Sequence, residues 1–83
     1  MNEIKTTIGP HGETVGRTVH YVDAGAPIVR AAVITEVLAD GTVTLTVLRP
    51  GVQETRMHVQ FSETYQHSCW SWPQRVGKKA PTP

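Results

Sequence analysis

The chain has 83 residues, a mass of 9.1 kDa and a formal net charge of +1. No apolar run is long enough to cross a bilayer, and no secretory pattern of charge, apolar stretch and cleavage site is visible, which speaks against membrane-spanning and secreted classes. One cysteine cannot build an internal disulfide framework and suits a reducing compartment.

The charge is unevenly placed. The stretch from Arg75 holds Arg75, Lys78 and Lys79 and no acid. Taking those three from the eight bases leaves five against seven acids, so Met1–Gln74 carries about −2. A domain that follows a nucleic-acid backbone usually has a basic face of its own. General DNA or RNA binding is therefore not expected. At this length a single core is thin, and self-association would support it.

Threonine and valine number 11 each and isoleucine 4, against 3 leucines and 6 alanines. Branched Cβ atoms disfavour helices and suit a pleated surface, so the chain reads as all-β. Residues 1–14 have no sustained period, and Gly9-Pro10-His11-Gly12 is a breaker cluster. They read as an N-terminal arm. A first strand is expected over Val15–Val22, with Val15, Val19 and Tyr21 on one face and Thr18, His20 and Val22 on the other. Asp23-Ala24-Gly25-Ala26-Pro27 supplies a loop.

Arg30–Leu38 has apolar character on both faces, which predicts a central strand buried on two sides. Asp40-Gly41 is a hairpin signal. Val43, Leu45 and Val47 then alternate with Thr42, Thr44 and Thr46, giving a strand with one wet face. Arg49-Pro50-Gly51 is the next turn. Met57, Val59 and Phe61 alternate with Arg56, His58 and Gln60 in a fourth strand. Ser62-Glu63-Thr64 offers the start of a single helical turn. Tyr65–Trp72 is a final strand with Trp70 and Trp72 on one face, ended by Pro73.

Five short, closely spaced strands predict a small barrel over residues 15–74, SH3-like first and OB-like second. Residues 75–83 have no period and read as a disordered, mobile basic tail.

Chemistry-bearing patterns are few. His67 and Cys69 stand two apart and would share a strand side, but no orienting residue for a thiolate is identifiable, and a small buried hydrophobe is the plainer reading of the cysteine. Zinc would need three or four converging ligands. Among His11, His20, His58, His67 and Cys69 there is no paired ligand spacing. Gly9, Gly12 and Gly16 lack the strand-to-helix context of a phosphate loop. Asp23 and Asp40 read as turn residues, and Glu36 as a carboxylate either at a mouth of the barrel or paired, with Arg30 or Arg49 as partner. No catalytic group, metal or cofactor is indicated, and the chain reads as non-enzymatic.

Trp70 and Trp72 are the most informative pair. Aromatic rings beside arginine suit flat anionic ligands, because rings stack and guanidinium pairs with phosphate. Arg17, His20, Tyr21 and Arg30 are expected to join Trp70 and Trp72 as a ligand-binding set. The same residue types also make protein interfaces.

The strings Gly16-Arg17-Thr18-Val19-His20-Tyr21, Arg30-Ala31-Ala32-Val33-Ile34-Thr35-Glu36-Val37, Val43–Leu48 followed by Pro50-Gly51, and Trp70-Ser71-Trp72-Pro73 together resemble a group of small proteins from phages and prophages of actinobacteria. The resemblance covers Gly16–Pro73. In that group the tryptophan pair often brackets a histidine, where this chain has Ser71. The resemblance implies a phage or prophage origin and a location in the host cytoplasm or the virion; it carries no activity with it. Two functions follow as expectations. One is an oligomeric accessory module that sequesters a small anionic ligand, such as a nucleotide signal, between subunits. The other is a protein-interaction or virion-associated adaptor.

Overall fold

The computed structural model describes residues 7–25 and 28–74. The tail expected over 75–83, residues 1–6 of the arm, and Ala26-Pro27 of the first loop lie outside them. Five strands form: β1 Thr18–Val22, β2 Val29–Val37, β3 Val43–Arg49, β4 Val52–Phe61 and β5 Cys69–Ser71. They close into a barrel in chain order, and no helix is present among the described residues. Neighbours along the meander are antiparallel, β5 returns antiparallel to β1, and β4 and β5 run parallel at Gln60↔Cys69 and Phe61↔Trp70.

The core is the set of inward positions of this meander. Val19, Ala32, Ile34, Val43, Leu45, Val47 and Trp70 are fully buried, with Tyr21 and Val59 nearly so. Each buried Val, Leu or Ile contributes roughly 1.5–3 kcal/mol, so the branched residues of β2 and β3 carry most of the aliphatic stabilisation. Both hairpin turns need glycine. Gly41 has φ 89° after Asp40, and Gly51 has φ 76° after Pro50. Asp40 completes the first turn as expected: its Oδ1 accepts from the Thr42 N–H at 3.0 Å.

Several local expectations are corrected. The first strand begins at Thr18, because Gly16 (φ 95°) and an Arg17 N–H to Thr14 carbonyl bond bend the chain before it. Val15 is thereby exposed. β2 is buried on one side only: Ala32 and Ile34 face in, while Ala31 and Thr35 are exposed. Its outer face is the barrel exterior. β4 is longer than Met57–Phe61, starting at Val52. A register shift near Val43/Leu45, with His58 at φ 56°, breaks its alternation and leaves Met57 exposed. The last strand is three residues, because Ser68 at φ 63° interrupts it. Ser62-Glu63-Thr64 bends without forming a helical turn. The Ser71 hydroxyl donates to the Ser62 carbonyl at 2.7 Å and ties that bend to β5.

Candidate binding site

The register carries a charged cluster onto the barrel's inward face. Leu45 lies opposite Arg56, and Val47 opposite Glu54. Cross-strand partners share a face, so Arg56 and Glu54 stand on the side that buries Leu45 and Val47. Arg30 is two residues before buried Ala32, and Arg49 two after buried Val47, so both also face inward. Arg30 and Arg49 lie one step past the buried residues of β2 and β3, at one mouth of the barrel, and Glu54 and Arg56 reach the same mouth from β4.

Asp23, just after β1, holds this mouth together. It is buried, which corrects its reading as an ordinary turn residue. Its Oδ2 accepts from Arg30 Nε at 2.9 Å and its Oδ1 from Arg49 Nη2 at 2.7 Å. Arg49 Nε donates to Glu54 Oε1 at 3.1 Å, and Arg56 Nη2 to the same oxygen at 3.0 Å. The Asp23 N–H reaches the Ile28 carbonyl, closing the loop. His67 Nδ1 lies 2.9 Å from the Asp23 carbonyl, which can only accept, so Nδ1 carries the proton. Glu36 pairs with neither arginine. It is exposed and accepts from the Thr44 hydroxyl at 3.2 Å, because the bulge between Ile34 and Glu36 brings it opposite Thr44.

Three guanidiniums thus meet two carboxylates. An open cavity of about 210 Å³ is lined by Asp23, Ala24, Gly25, Ile28, Arg30, Arg49 and Arg56. A guanidinium has five N–H donors. Among the described residues the ion pairs engage one donor of Arg30, two of Arg49 and one of Arg56. Donor capacity therefore remains at the cavity.

The opposite end is built from rings. Arg17 and Asp23 are six residues apart along β1, or about 20 Å. At the Arg17 end, Gly9–Glu13 folds over the barrel. His11 stacks on Phe61 with centroids 4.0 Å apart, and Phe61 and Trp72 both meet Trp70 edge-on. Trp72 Nε1 donates to the His11 carbonyl at 3.1 Å. Glu13 is fully buried, with Oε1 accepting from the His11 N–H at 2.7 Å. A Cβ at Gly9 would run into the Glu13 carboxyl group and displace that buried side chain. Glu13 Oε2, 3.9 Å from His11 Nδ1, and Trp70 Nε1 are the buried side-chain polar atoms left without a hydrogen-bond partner among the described residues. The Arg17 guanidinium sits 4.7 Å over the Trp72 ring.

The six residues expected to form one site are therefore separated. Arg17 and Trp72 are together at the ring-filled end. Trp70 and Tyr21 are core residues, and full burial leaves Trp70 no surface for a ligand in the single chain. His20 is half-buried, with Nδ1 2.6 Å from the Tyr65 hydroxyl. Arg30 alone belongs to the charged mouth. Sequence reasoning missed Arg49, Glu54 and Arg56 as its companions. The available signal was their spacing: across a tight Pro50-Gly51 turn, alternate residues of both strands share a face.

His67 and Cys69 do not share a regular strand side, because Ser68 lies between them at positive φ. No group of three or more His, Cys, Asp or Glu able to hold a metal occurs among the described residues. No protein-family model, curated protein or solved structure matches the chain.

Proposed function

We propose that this protein is a non-enzymatic binding module of phage or prophage origin, acting in the host cytoplasm, that captures a small anionic ligand at the arginine-lined mouth. The observation that carries the reading is the Arg30–Asp23–Arg49–Glu54–Arg56 chain around an open cavity. Two carboxylates pre-position three forks, and planar forks bind phosphate and carboxylate bidentately. About 210 Å³ is below the roughly 300–1,000 Å³ of pockets that enclose drug-sized ligands. The mouth suits one anionic group of a ligand, such as a nucleotide phosphate, with the remainder outside. The meander closed by β5 on β1 favours an SH3-like barrel over the Greek-key OB barrel.

Native mass spectrometry of the gently purified protein, with and without a nucleotide library, tests this. Adducts of nucleotide mass that weaken about tenfold in Arg56→Gln are expected. Arg56 is the most exposed of the three, so the change spares the fold. A wild-type protein that takes up no anion would overturn the reading.

The second reading is a protein-interaction or virion-associated adaptor. The Arg17–Trp72 pair favours it, since an exposed arginine over a half-buried tryptophan is a surface proteins use. Trp72→Ala would then abolish partner capture and leave anion uptake intact.

A further inference from the structure

The barrel closes in order, yet its seam is short. β4 has ten residues, and β5 pairs with it only at Gln60 and Phe61. Its other edge is taken by β3 from Val52 to Val59. Among the described residues, no strand pairs the outer edge of β4 over that stretch. An open edge with regular backbone is a template for another strand.

The sequence of this edge is complementary to itself. Thr55 lies between Glu54 and Arg56. Two copies of β4 paired antiparallel about a two-fold axis through Thr55 place Glu54 opposite the partner's Arg56. The same axis places Arg56 opposite the partner's Glu54, and Gln53 opposite the partner's Met57. Opposite charges directly across a strand pair stabilise it, and like charges destabilise it. Moving the axis by one residue, which shifts the register by two, would set Glu54 against the partner's Glu54 or Arg56 against the partner's Arg56. The exposed apolar side chains Val52 and Met57 flank this stretch. The bulge at His58 ends the regular edge and limits the pairing to a short ladder.

We infer that the occupant of this edge is a second copy of the chain, joined in an isologous dimer through antiparallel β4–β4 pairing centred on Thr55. Cross-strand partners share a face, so the partner's Arg56 and this chain's Glu54 lie on the inward side. The two arginine mouths then adjoin across the axis, and each is completed by the other copy. The edge argument does not depend on anion binding.

Sedimentation velocity of the full chain tests the dimer. The wild type is expected at twice the 9.1 kDa chain mass. Thr55 is exposed on the outer face, away from the ion pairs, so its variants keep the monomer fold. Thr55→Lys and Thr55→Asp are each expected to sediment as monomers, and an equimolar mixture of the two as a dimer. In a Cys69→Ser background, Thr55→Cys is expected to cross-link on oxidation, while Gln53→Cys, four residues from its own copy across the ladder, is not. A monomeric wild type at all concentrations, or a Thr55→Lys variant that stays dimeric, would overturn the dimer. Anion uptake by a monomer would leave the proposed function standing while the dimer failed.

Discussion

The two ends of this barrel solve the same problem with opposite chemistry. At the Arg17 end, four rings and the Gly9–Glu13 loop fill the opening, and Trp70 has no exposed surface. At the Asp23 end, charged side chains line the opening and hold it ajar. Ring packing gains from excluding water, so that end contributes to stability. At the other end the arginine forks are partly engaged by Asp23 and Glu54, and their remaining donors stand at the open cavity. The aromatic wall that draws attention in the sequence is mostly structure. Arg30, Arg49 and Arg56 line an open cavity instead.

Four substitutions would sharpen or break this contrast. The largest effect is expected at the ring-filled end. Trp70→Ala removes the largest fully buried side chain and should cost about 3–5 kcal/mol in urea unfolding. A loss under 1 kcal/mol would show that the rings are not the structural end. Next is Asp23→Ala, which leaves Arg30 and Arg49 without their shared carboxylate. The arginines are partly solvated, so the expected loss is about 1–3 kcal/mol, below that of a fully buried pair. It should shrink as salt rises. An effect equal to that of Trp70→Ala would erase the distinction between the ends.

A smaller effect is expected for Arg17→Ala. One exposed cation over Trp72 contributes about 0.5–1 kcal/mol, measurable as a shift in unfolding midpoint without a change in slope. The smallest is at the Asp40 hairpin. Asp40 has its pKa lowered by hydrogen bonds from the Thr42 hydroxyl and Thr42 N–H, with His58 adding to them. A carboxyl whose folded pKa lies below its unfolded value stabilises above that unfolded value. The contribution fades as pH falls through the lowered folded value. Asp40→Asn should therefore lower stability slightly at neutral pH and flatten the acid side of the profile, the two curves converging below the lowered folded value. A variant with the wild-type acid profile would contradict it.

The fold was legible because its signals are local. Alternating Val43, Leu45 and Val47 after Asp40-Gly41 predict both a strand and its hairpin, and the all-β class follows from the branched residues. What stayed hidden depends on backbone signs and long-range register. Nothing local announces that non-glycine His58 and Ser68 adopt positive φ, yet those two residues expose Met57 and shorten β5. The site was partly legible. Arg30 and the Arg17–Trp72 attraction were read from residue type, but their separation follows from the register, which sets Arg30 opposite Tyr21, four residues or about 13 Å along β1 from Arg17. Asp23 was read as a turn residue because its loop context is typical. Its burial between two arginines required the β2–β3 register to be known.

The central claim is that the arginine mouth, and not the aromatic end, takes the anion. The most direct test is a ¹H–¹⁵N NMR titration of the full chain with pyrophosphate. The account predicts progressive shifts of the Arg30, Arg49 and Arg56 Nε–H signals and of the Asp23–Gly25 amides, with the Trp72 indole N–H unmoved. Shifts confined to Trp72 and Arg17, with the arginine mouth silent, would contradict it.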